Sequence, residues 1–299
     1  MKYFSNYFRP TRCGSFSYTW ARQEWQSGRG EPMNRPTEGP DANVQRIVKS
    51  RRCGSTSKRR RRTRGLLCFL CFLSAIPDAA AEVLDKTGTF AGRTVPYKVV
   101  LPSNYDPAKA YPAVLAFSGG TQTMRTVEGA VERFWRDEAE RRGYLVLIPA
   151  TLDGWLYFEE DGAAIFPEFL DRFLRDYKIQ DNKLHVAGNS NGGLSAFHIA
   201  ASHPKYFWSV TGFPGYIYEP TREQVRALAS LCINMHVGEL DKQWREAMEP
   251  QAKQFAAQKM KSRITVEPGQ GHGIRTLEGE GAKRLFDQFE DARQGCARL

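Results

Sequence analysis

Residues 184–193 read LHVAGNSNGG: a short apolar-leaning run that ends in three glycines, two asparagines and a single serine. A short apolar run bounded by turn residues has the look of a buried strand. The residues after it, Leu194–Ser202, carry helical spacing. Between strand and helix the chain must reverse sharply. A side chain at Gly188 or Gly192 would be driven into the neighbouring strand or helix, which accounts for glycine at both. By composition alone a G-x-S-x-G string arises in about one chain in ten of this length. The string therefore carries weight only through its surroundings.

Working outward, the chain from residue 82 alternates short apolar runs with longer amphipathic ones. Thr87–Phe90 and Val95–Leu101 read as a hairpin turning at Gly92. Ala113–Phe117, Tyr144–Ile148, Leu184–Ala187, Phe207–Gly212, Cys232–Val237 and Ile264–Val266 read as strands. Helical spacing appears over Val127–Arg142, Ile165–Tyr177, Leu194–Ser202, Gln224–Leu228, Trp244–Lys259 and Gly281–Ala292. Strands alternating with helices predict an α/β domain over 82–299, with a mostly parallel, doubly wound sheet and helices on both faces. Sites in such sheets form at the carboxyl ends of the strands, so the loops after the strands are where chemistry is expected.

The loop after 184–187 presents Ser190 on a strand–turn–helix, the context of a nucleophile elbow. A serine hydroxyl needs a base. Of the five histidines, His185 and His236 lie inside strands, His198 lies on a helix and His203 ends one. His272 alone sits in a Gly-rich loop after the last strand, in PGQGHG, 268–273. The base needs an acid to fix its tautomer. The loop after 232–237 reads Gly238-Glu239-Leu240-Asp241, and Asp241 is preferred with Glu239 as the alternative. The order serine, acid, histidine is one of the known chain orders for a catalytic triad. The strand 113–117 ends in Ser118-Gly119-Gly120-Thr121, so the backbone N–H of Gly120, with Gly119 as alternative, joins that of Asn191 as a candidate oxyanion hole. Aromatic residues follow several strands: Trp155, Tyr157 and Phe158, then Phe213, Tyr216 and Tyr218, then Trp244. Trp155, Tyr216 and Trp244 are candidates for substrate binding, although such rings also pack under loops.

The chain of 299 residues has a net charge of +10. Residues 1–81 hold 16 Lys and Arg against 5 acidic residues, and the remainder holds 27 against 28. The excess belongs to the leader, so the body carries no signature of nucleic-acid binding. A basic run at 58–64, the 11-residue apolar run LLCFLCFLSAI (66–76) and Ala79-Ala80-Ala81 form a signal-peptide pattern over 58–81. Cleavage is expected after Ala81, with a secreted or periplasmic product. An apolar run of that length is too short to span a membrane, so no stable span is expected in the mature chain. Residues 1–57 are expected to be a disordered or untranslated extension. Cys68 and Cys71 fall within the apolar run and read as fillers. Cys13 and Cys53 also lie in the leader, so the mature chain is expected to keep Cys232 and Cys296, either as a disulfide or as two buried thiols.

The residues named so far resemble the α/β-hydrolase superfamily over nearly the whole mature chain. Phe117-Ser118-Gly119-Gly120-Thr121-Gln122 resembles the HGxxQ-type oxyanion segment of secreted esterases in the polyhydroxybutyrate depolymerase and feruloyl esterase group. Tyr177-Lys178-Ile179-Gln180 through Gly193 resembles their approach to the elbow. Ser118 stands where those families place histidine, and Val237 where their acid loop reads HG. The spelling Ser190-Asn191-Gly192-Gly193 is similar to the elbow of prolyl-oligopeptidase-type serine peptidases. The resemblance implies the α/β-hydrolase fold and an esterase acting on a small or polymeric ester through Ser190, Asp241 and His272. The sequence shows no zinc-ligand spacing and no phosphate-cradling motif, so no metal and no cofactor are expected. A peptidase or amidase using the same three residues, and a non-catalytic binding protein on a hydrolase scaffold, stay open at this point.

Overall fold

A computed structural model describes residues 80–152 and 156–297, all within one unit spanning Phe72–Leu299. The leader and nearly all of the signal-peptide pattern lie outside the described residues, as does Trp155.

Eight strands form one sheet: β1 (Glu82–Phe90), β2 (Arg93–Leu101), β3 (Ala113–Phe117), β4 (Leu145–Pro149), β5 (Leu184–Gly188), β6 (Phe207–Gly212), β7 (Cys232–Gly238) and β8 (Ser262–Glu267). Their order is β1-β2-β4-β3-β5-β6-β7-β8. The β1–β2 and β2–β4 pairings are antiparallel and every other pairing is parallel. Every residue of β3, β4 and β5 is buried, as expected for parallel strands covered on both faces. Side chains alternate across the sheet. Leu115, Phe117, Leu145 and Leu147 enter one apolar cluster with Phe166, Phe169 and Phe197. Val114, Ala116, Val146 and Ile148 enter the other with Trp135, Phe286 and Phe289.

The helices are α1 (Met124–Ala130), α2 (Arg136–Arg142), α3 (Glu160–Ala163), α4 (Phe166–Asp176), α5 (Asn191–Ser202), α6 (Arg222–Leu228), α7 (Lys242–Ala257) and α8 (Lys283–Arg293). The helix expected over Val127–Arg142 starts earlier, and a π-helical turn, Val131–Trp135, sits between α1 and α2. This segment follows β3 and packs its Val127, Ala130, Phe134 and Trp135 into the second cluster. Helix α5 follows β5 and packs Ala196, Phe197, Ile199 and Ala200 into the first. Chains leaving adjacent parallel strands for opposite faces part at the strand ends, and a crevice opens there. Among the described residues no helix is long and apolar enough to cross a membrane. Cys232 and Cys296 lie close, with Cα atoms 6.0 Å apart, inside the span a disulfide bridges.

Candidate active site

Register brings the four relevant loops to one edge of the sheet. Phe117 pairs with Gly188, and Gly188 with Gly212. Gly238 pairs with Glu267. The loops at 118–123, 189–190, 239–241 and 268–273 therefore leave the sheet at the same end.

At the elbow Ser190 adopts φ 56°, ψ −126°, backbone that L-residues avoid and that costs about 1–3 kcal/mol. The surroundings hold it there. Its N–H donates to the Pro214 carbonyl at 2.8 Å, and its carbonyl accepts from Leu194 N–H at 3.0 Å. A Cβ at Gly188 would stand 2.2 Å from the Gly192 carbonyl oxygen, and one at Gly192 would stand 2.4 Å from that of Phe117. Neither neighbour can yield, because both atoms are backbone. The steric requirement expected at these two glycines is present.

The base loop meets the elbow. His272 Nε2 lies 2.8 Å from Ser190 Oγ, and His272 Nδ1 lies 2.8 Å from Asp241 Oδ2. The Asp241 side chain is only 10% exposed, whereas that of His272 is 47% exposed. Asp241 occupies the N-cap of α7 but caps nothing with its side chain. Aspartate is a favoured capping residue, and here its carboxylate faces the imidazole instead. Glu239, the alternative acid, is directed elsewhere: its carboxylate accepts the Gly269 N–H at 2.8 Å. With Leu240 N–H on the Gln270 carbonyl at 2.9 Å, that bond laces the acid loop to the base loop. The other histidines stand apart. Burial, aided by Arg293, pushes His185 down to about 3, which leaves it neutral. His185 bonds Ser209 at 2.8 Å and stacks on Phe289. Burial lowers His198 and His203 as well. His236 is buried between Glu267 and Gln288.

Glu267, the last residue of β8, precedes the base loop and ties the strand to residues beyond that loop. Its carboxylate accepts both Arg284 guanidinium nitrogens at 2.9 and 2.8 Å, Thr276 Oγ1 at 3.2 Å and His236 Nδ1 at 2.8 Å. Burial acts to raise its pKa, but the hydrogen bonds from His236 and Arg284 outweigh that and hold it at about 2. A folded-state pKa below the ordinary value of 4.5 stabilises the fold above that value, and the contribution fades as pH falls towards 2. We expect about 3 kcal/mol of unfolding free energy to be lost from this group over that window. Urea midpoints from pH 5 to pH 2 would show it. A Glu267→Gln variant with the wild-type slope would contradict it.

The oxyanion candidates separate. Gly119 N–H donates to Asn189 Oδ1 at 3.1 Å, so this group is engaged and the alternative placed on Gly119 is corrected. Gly120 has φ 65°, and its carbonyl accepts from Asn191 Nδ2 at 2.9 Å. The aromatic residues separate too. Tyr157 and Phe213 belong to the core, against Phe117 and Phe166 and against Phe134 and Trp135 respectively. Trp244 lies 5.1 Å from the His272 ring, and Tyr216 meets Trp244 edge-to-face at 5.4 Å. Of the three substrate-binding candidates, Trp244 thus borders the imidazole and Tyr216 packs against Trp244.

No protein-family model matches the chain. An alignment of 126 positions, covering 36% of this chain, is 29% identical to dipeptidyl-peptidase 5 of Porphyromonas gingivalis and spans 17% of that protein. Among solved structures, a thermostable esterase superposes with a TM-score of 0.57 at 19% identity, covering 69% of this chain and 62% of that one. A ferulic acid esterase superposes with a TM-score of 0.55 at 17% identity, covering 70% and 97%. The fold is that of the α/β-hydrolases. The loop after β3 lies beside the elbow, and it holds Gln122 and Ser118, whose contacts the sequence motif does not reveal. Gln122 is fully buried at φ 54°; its amide donates to Ser195 Oγ at 2.9 Å and accepts from Tyr157 N–H at 3.0 Å. A positive φ on a buried polar residue two positions past the Gly pair is visible only in three dimensions. Ser118 is buried with its hydroxyl 3.0 Å from that of Thr126.

Proposed function

We propose that the protein is a serine hydrolase that cleaves carboxylic esters through an acyl-enzyme. The observation that carries this reading is the unbroken relay from Ser190 Oγ through His272 to Asp241, with both contacts at 2.8 Å. Ser190 Oγ attacks the ester carbonyl carbon while His272 Nε2 takes its proton. Asp241, accepting a hydrogen bond from Nδ1–H, keeps Nε2 free to act and stabilises the imidazolium that forms. The carbonyl oxygen, now an alkoxide, is held by the N–H groups of Gly120 and Asn191. Collapse of the tetrahedral intermediate expels the alkoxide of the substrate, which takes the proton from His272. Water then enters, gives a proton to His272 and attacks the acyl carbon; the acid product leaves and Ser190 regains its hydrogen. Trp244 and Tyr216 form an apolar wall beside His272 that suits the organic part of the substrate.

The named esterases among the fold neighbours support ester chemistry. The match to a dipeptidyl-peptidase favours the second reading, a peptidase with the same relay. A panel of nitrophenyl esters and peptidyl nitroanilides separates them. Ester turnover is expected to exceed amide turnover, and the reverse order would establish the peptidase. The leader pattern supports export, and a bond between Cys232 and Cys296 fits an oxidising compartment. Two free thiols in the denatured mature chain would refute that bond.

A further inference from the structure

Ser190 has an asparagine on each side, and both amides leave the elbow for the same neighbouring segment. Asn189 Oδ1 accepts the Gly119 N–H at 3.1 Å. Asn191 Nδ2 donates to the Gly120 carbonyl at 2.9 Å. The first bond holds the peptide before Gly119 and the second holds the peptide after Gly120. The peptide between them, which carries the Gly120 N–H, is suspended from two fixed points. Its residues are two consecutive glycines, the type with the widest backbone freedom, so the segment has little intrinsic reason to keep one orientation. A second tier sits behind the first. The Asn191 carbonyl accepts from Ser195 Oγ at 3.0 Å, and Ser195 Oγ accepts from the buried Gln122 amide at 2.9 Å. The far end of the same loop is thereby tied to α5.

We propose that the Asn189 and Asn191 side chains are positioning residues that hold the Gly120 N–H in place to receive the oxyanion. The proposal rests on the serine-hydrolase reading. An oxyanion donor acts only within about 2.7–3.1 Å of the developing charge, and a displacement of about 1 Å costs on the order of 100-fold. The two amides work in opposite senses, Asn189 as acceptor and Asn191 as donor, so no single substitution type mimics both. Neither is deeply buried, so alanine at either position leaves the core intact.

The test compares wild type, Asn189→Ala and Asn191→Ala on a nitrophenyl ester, with phenylboronic acid as the tetrahedral probe. We expect kcat to fall about 10- to 100-fold in each variant, with KM within about threefold. The inhibition constant for phenylboronic acid should rise in proportion to the loss in kcat/KM. Asn191→Asp, which turns the donor into an acceptor facing a carbonyl, should be at least as impaired as Asn191→Ala. Wild-type kcat and boronate affinity in both alanine variants would overturn the proposal, as would a loss confined to KM. Failure of the underlying reading looks different: the wild-type protein itself would show no ester turnover and no fluorophosphonate adduct at Ser190.

Discussion

Ser190→Ala is expected to lower ester turnover by about 10⁶-fold, to the residual rate that binding and the oxyanion hole sustain without a nucleophile. The size of the loss follows from the shared role of the relay: His272 and Asp241 act only through Ser190 Oγ, so its removal disables all three. The fold should be unaffected. The elbow is held by backbone bonds from Ser190 to Pro214 and Leu194, and an alanine keeps both. It also keeps the strained φ of 56°. Ser190→Gly relieves that strain, and it should be equally inactive yet no less stable than the alanine variant, because the relief of about 1–3 kcal/mol outweighs glycine's entropy cost of about 0.5–1 kcal/mol. Steady-state rates and thermal melts on the three proteins check this. Turnover within tenfold of wild type in either variant would remove Ser190 from the chemistry.

Asp241→Asn should cost about 10⁴-fold in kcat. The carboxylate accepts a hydrogen bond from the His272 Nδ1–H, which keeps the proton on Nδ1 and so leaves Nε2 as the acceptor facing Ser190. An asparagine amide can instead donate to Nδ1. The proton then resides on Nε2, which can no longer take one from the hydroxyl. Because the Asp241 side chain is almost wholly shielded from water, solvent offers no substitute charge. Glu239→Gln provides the contrast. Its carboxylate accepts the Gly269 N–H, and a glutamine oxygen can accept the same bond, so kcat should change by less than about tenfold. A large loss at Glu239 with a small one at Asp241 would reverse the assignment of the acid.

Much of this architecture is legible in the chain because the physical demands are local. The central strands are apolar throughout since both faces are covered, and LHVAG followed by NSNGG leaves few alternatives to a strand running into a tight turn. His272 stands out because its neighbours are glycines while the other histidines lie in regular elements. What was not legible depends on partners distant in the chain. Strand β1 reaches back to Glu82 through EVLDKT, where no apolar alternation marks it, because it is the sheet edge and leaves most side chains exposed. The π-helical turn at Val131–Trp135 inserts an irregularity that three–four spacing does not reveal. Tyr157 and Phe213 follow strands as Tyr216 does, yet they turn inward, and only packing tells them apart. An asparagine can donate or accept, so the clamps made by Asn189 and Asn191 follow only from β3 lying beside β5, with Phe117 level with Gly188.

The central claim is that Ser190 is a nucleophile activated by His272. Incubation with a fluorophosphonate, followed by intact-mass and peptide analysis, tests it most directly. Wild type should take up one adduct per chain, located on Ser190, with the reaction greatly slowed in His272→Ala and absent in Ser190→Ala. Equal labelling of wild type and Ser190→Ala, or an adduct on any other residue, would contradict it.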